Sequence, residues 1–89
     1  MGKVYAGQAF KFVADTKIDL AAGTNPRIYY RKPDLTEGYW TGIVTEETKL
    51  YCTIVEEDIG SWALWAQIEF DIGLAIGEPV RIILYEPGH

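Results

Sequence analysis

Gly60-Ser61-Trp62-Ala63-Leu64-Trp65-Ala66-Gln67-Ile68-Glu69-Phe70 decides the fold. Trp62, Leu64, Ala66, Ile68 and Phe70 share one parity; Ser61, Ala63, Trp65, Gln67 and Glu69 share the other. Extended backbone points successive side chains to opposite sides, so this alternation predicts a strand with one buried face. Gly60 breaks the chain before it, and Asp71-Ile72-Gly73 turns it afterwards.

Working outward, the same period recurs. Thr48–Ile54 places Leu50, Cys52 and Ile54 on one side, and Pro79–Tyr85 reads as a closing strand. Between them, Val55–Ile59 reads as a single helical turn or a tight corner. Upstream, Arg27–Lys32 predicts a strand with Ile28 and Tyr30 inward and Arg27, Tyr29 and Arg31 outward. Pro33–Gly38 is a hairpin connection and Tyr39–Val44 the returning strand. Ala9–Asp15 alternates with Phe10, Phe12 and Ala14 on one side, and Lys3–Ala6 reads as a short edge strand. Ile18 and Leu20 are expected to plug one open end of the core, and the tail 86–89 is expected to fray. About seven strands with turn chemistry between them, and no helix-period segment, predict an all-β antiparallel sandwich. The 89 residues are enough for one domain, 1–89, with a single core.

Composition narrows the function classes. Thirteen acids against eight bases give a net charge of −5 and a pI near 4.7. Nucleic-acid binding needs a concentrated cationic face, and Arg27, Arg31 and Lys32 are followed at once by Asp34 and Glu37. No apolar run reaches the roughly 18–20 residues of a membrane span. Met1-Gly2-Lys3-Val4 lacks the basic start, apolar middle and cleavage site of a signal peptide. No nucleic acid and no membrane are therefore expected as partners.

Catalytic and cofactor chemistry finds little footing. Cys52 is the single cysteine and His89 the single histidine, so neither a disulfide, a Cys–His pair nor a zinc ligand set is expected. Glu46-Glu47 and Glu56-Glu57-Asp58 are acidic runs at turns, where hydration keeps carboxylates ordinary, and the second lacks the alternating spacing of a calcium loop. No glycine-rich phosphate loop occurs. The expectation is a non-enzyme without cofactor or metal.

The aromatics point elsewhere. Trp62 lies on the core parity, whereas Trp65 shares its parity with Gln67 and Glu69, and Tyr29 is outward on its own strand. Tyr29, Trp65 and Gln67 are the candidate interaction surface. Exposed aromatics on a flat face suit a protein partner and also suit sugar stacking.

Val4-Tyr5-Ala6-Gly7-Gln8, Ile18-Asp19-Leu20, Arg31-Lys32-Pro33-Asp34 with Thr36-Glu37-Gly38, Asp58 to Gly60-x-Trp62, and Gly77-Glu78-Pro79-Val80 run nearly the length of the chain. Together they resemble the small immunoglobulin-like domains of tailed phages and prophages, such as the N-terminal domain of phage baseplate upper proteins. That resemblance implies an immunoglobulin-like sandwich with no catalytic residues. It also implies a structural or assembly role in a virion, bound to another phage structural protein or to itself, within the virion or in the bacterial cytoplasm during assembly. A glycan on the host surface is the alternative partner. The sequence departs from the family where Leu35 stands in place of the usual hairpin glycine, and it is expected to stand as a single domain without the further regions of the baseplate proteins.

Overall fold

The central strand of a sandwich buries one face, and the stretch 60–70 does so from Trp62 to Ile68, with Phe70 half-buried at its end. The computed structural model describes residues 3–87. Within them the strands are β1 (Val4–Tyr5), β2 (Phe10–Asp15), β3 (Thr24–Arg31), β4 (Glu37–Thr41), β5 (Ile43–Thr45), β6 (Lys49–Ile54), β7 (Gly60–Phe70), β8 (Gly73–Ile76) and β9 (Val80–Tyr85). Along β7, Trp62, Leu64, Ala66 and Ile68 are buried, while Ala63, Trp65 and Gln67 keep partial exposure. The sequence parity holds residue by residue.

Two sheets face each other. The larger runs β1-β9-β7-β3-β4, with β8 extending the β9 side of β7; the smaller runs β2-β6-β5. Leu50, Cys52 and Ile54 of β6 close against Ile28, Trp62, Leu64, Ala66, Ile68 and Leu84 of the larger sheet. Phe10, Phe12 and Ala14 of β2 pack on the edge of that core. At about 25 cal/mol per Å² of apolar surface, this burial is the main stabilising term. No buried side-chain polar atom among the described residues lacks a hydrogen-bond partner.

The topology is an immunoglobulin-like arrangement. In that fold's letters, β2, β6 and β5 occupy B, E and D, while β3, β7 and β9 occupy C, F and G, with β4 as C′. The first strand departs from the constant-type pattern: β1 pairs with β9, and does so parallel. The larger sheet is thus mixed rather than purely antiparallel.

Other expectations need correction. The run 39–44 is two strands, not one. At buried Gly42 the chain leaves the larger sheet for the smaller, and the Gly42 amide donates to the Pro26 carbonyl at 2.8 Å. A Cβ there would stand 2.9 Å from Leu50 Cγ, so only glycine lets the crossing pass this close to the core. The chain after Asp71-Ile72 does not simply turn away but returns as β8, paired to β7 from Gln67 to Phe70. Val55–Ile59 forms no helical turn; of the two expected forms, it is the irregular corner that leads into β7. Leu20 is buried as expected, but Ile18 is 44% exposed and plugs nothing. Of the tail expected to fray, Gly88 and His89 lie outside the described residues.

The corner before β7 is built by Trp62. Its indole N–H donates to the Asp58 carbonyl at 2.9 Å, and the Lys32 ammonium, paired with Asp58 at 3.0 Å, lies 5.7 Å from the indole centroid. Tyr30 and Trp40 complete the cluster, at 5.5 and 6.3 Å from Trp62. With no disulfide to cross-link the sheets, this aromatic knot anchors one end of the core.

Candidate interaction surface

The outer face of the larger sheet takes its character from the register of three strands. Tyr29 on β3 is paired with Trp65 on β7 and with Tyr39 on β4, so the three rings form one row across the sheet. Tyr29 and Trp65 stack with centroids 6.0 Å apart and planes 13° from parallel; Tyr29 and Tyr39 are 5.4 Å apart and tilted. Such cross-strand aromatic pairs stabilise the sheet by roughly 0.2–1 kcal/mol each. Tyr29 and Trp65 are half-buried, and Tyr39 is 49% exposed.

Gln67 stands one row along, directly opposite Arg27. Arg27 folds back over the aromatic row: its guanidinium carbon is 4.3 Å from the Tyr39 centroid, and Nη1 donates to the Tyr29 hydroxyl at 3.3 Å. That hydrogen bond, with the nearby Tyr39 and Glu69, raises the Arg27 pKa, so the face carries a fixed positive charge. The row on the other side holds Arg81, Ala63, Arg31 and Glu37 in register. Arg31 is neutralised by Glu37 at 2.6 Å, while Arg81 has no salt bridge among the described residues. An acidic chain therefore presents a flat aromatic row between arginines.

The structure brings together all three residues singled out in the sequence, Tyr29, Trp65 and Gln67. It adds Tyr39 and Arg27. Tyr39 joins the row through the hairpin register: Lys32 N–H donates to Thr36 O and Leu35 N–H to Lys32 O, which sets Arg31 opposite Glu37 and hence Tyr29 opposite Tyr39. Arg27 reads in the sequence as a solvated cation, because its stacking partner lies on another strand.

Elsewhere the groups that carry chemistry are dispersed. Cys52 is buried in the core, and desolvation pushes its thiol pKa up to about 11. Asp58 is held by Lys32 rather than beside Glu56 and Glu57 as a cation cradle, and no group of three or more metal-ligating side chains gathers among the described residues. No helix among them is long and apolar enough to cross a membrane. No family model, no curated protein and no solved structure matches the chain.

Proposed function

We propose that this chain is a non-enzymatic structural or assembly module of a tailed phage or prophage, docking on another virion protein through the outer face of its larger sheet. The observation that carries the docking role is the row Trp65–Tyr29–Tyr39 with Arg27 laid over it. Large, rigid rings offer contact area at low entropic cost, and Trp, Tyr and Arg are the residues that concentrate binding energy at interfaces. The positive charges flanking the row favour a partner with an acidic patch. The attribution to a phage rests on the sequence resemblance.

The test is mass spectrometry of purified particles produced with wild-type protein or with the Tyr29→Ala/Trp65→Ala variant. Stoichiometric incorporation of the wild type, lost in a folded variant, is the expected result. Reproducible absence of the wild type from intact particles would overturn the structural role. A second reading is favoured by the near-parallel Tyr29 and Trp65 rings beside Gln67, an arrangement that suits stacking on a pyranose ring. Under it, titration with host-surface glycans shifts tryptophan fluorescence saturably; a flat response across diverse glycans removes it.

A further inference from the structure

We infer that β2 is a homodimerisation edge, pairing antiparallel with β2 of a second copy of this chain about a two-fold axis through Val13. This stands independently of what the aromatic face binds.

Three observations converge on it. The first is an unpaired edge of known orientation. β2 is the end strand of its sheet and pairs only with β6. The Thr16 amide donates to the carbonyl of its register partner Thr48 at 2.9 Å. In an antiparallel ladder an amide that donates to the residue directly opposite marks a bonded position, and bonded positions alternate along the strand, so even-numbered residues bond to β6. Lys11, Val13 and Asp15 therefore aim their N–H and C=O groups away from it. Val13 and Asp15 line an open groove of about 600 Å³ whose far wall is Trp65, Ala66 and residues of the 76–80 segment between β8 and β9. An extended strand has room to enter.

The second observation is that β2 is complementary to itself. Read antiparallel about Val13, Lys11 falls opposite the partner's Asp15, Phe12 opposite the partner's Ala14, and Val13 opposite the partner's Val13. Both outward charges meet their opposites, and a large inward side chain meets a small one. The two-fold axis places Val13 in a bonded pair, the geometry the outward-facing amides require. A lysine on an edge strand ordinarily guards against indiscriminate pairing. Here it disfavours foreign strands while matching a second copy.

The third is continuity of apolar surface. On the outer face of the smaller sheet, Val13 pairs with Tyr51, which pairs with Ile43. Val13 is 46% and Ile43 53% exposed. Dimerisation would join this row to its symmetry mate, turning a three-stranded sheet into a continuous six-stranded one.

Sedimentation equilibrium up to the solubility limit tests the inference. Wild type should reach twice the 10.0 kDa monomer mass. Lys11→Glu places two acids across the axis and Asp15→Lys two bases, so each variant alone should sediment as monomer, and an equimolar mixture should recover the doubled mass as a heterodimer. Val13→Pro removes an outward amide without touching the bonds to β6 and should also be monomeric, with circular dichroism verifying its fold. Tyr39→Ala, on the far edge of the larger sheet and outside the groove, should leave the dimer intact. A wild type that remains monomeric, or a dimer that persists unchanged in Lys11→Glu and Val13→Pro, overturns the assignment.

Discussion

Replacing Trp62 by alanine should nearly unfold the domain, and replacing Trp65, three residues along the same strand, should hardly disturb it. Trp62 is 1% exposed, packs within 5.5 Å of the Tyr30 centroid, and ties the corner at Asp58 through its indole N–H. Truncating a buried tryptophan costs about 3–5 kcal/mol, and stranding the Asp58 carbonyl adds about 1 kcal/mol. Against a total stability of about 5–15 kcal/mol for a small domain, that is about a quarter of the whole at the least and all of it at the most. Trp65→Ala loses its stacking on Tyr29 and some half-buried area, about 1 kcal/mol. Urea denaturation followed by far-ultraviolet circular dichroism measures both. Trp62→Phe retains most of the ring volume but not the donor, and should fall between them at about 1–2 kcal/mol. Equal losses for Trp62→Ala and Trp65→Ala would refute the division of β7 into a core face and a free face.

Leu35 sits in the hairpin with φ 73° and is 74% exposed, so Leu35→Gly should stabilise by about 0.5–1 kcal/mol, through relief of left-handed strain net of added chain entropy. An unchanged or lower urea midpoint would contradict this. Gly60 has φ 128°, and a Cβ there would lie 2.9 Å from Pro33 Cγ, a ring atom with little freedom to move; Gly60→Ala should cost about 1–3 kcal/mol, and a loss below the error of the denaturation curve would show that the corner can relax. The hydrogen bond to Asp58 raises the Lys32 pKa above its ordinary 10.5, assisted by the Asp58 and Glu56 charges. A folded-state pKa above the unfolded one means that this contribution is complete below about pH 10.5 and disappears as pH rises through the higher folded value. Stability measured from pH 8 to 12 should therefore fall more steeply in wild type than in Lys32→Met, which keeps the stem over Trp62; parallel curves would remove the pair from the account.

What the sequence determined by itself is the alternation. The faces of β6 and β7, the inward Phe10, Phe12 and Ala14, and the outward Tyr29, Trp65 and Gln67 all follow from a period of two, a property of each strand in isolation. The hairpin itself was legible from its turn residues Pro33 to Gly38, but not that Leu35 within it takes positive φ. Tertiary structure decided everything that depends on which strand lies beside which. Gly42 lets one apparent strand divide between two sheets because a Cβ would strike Leu50, a residue eight positions away that the β5–β6 pairing brings close. The parallel pairing of β1 with β9 joins the two ends of the described chain, and β8 exists as a strand because β7 runs on past β9 and offers Gln67–Phe70 as a template. The aromatic row acquires Tyr39 and Arg27 only when the hairpin register is set. Likewise, β2 becomes an open edge only when β1 crosses to the opposite sheet. Side-chain alternation is local and survives in the order of residues, whereas strand neighbours are selected by long-range burial and hydrogen bonding, which that order does not display.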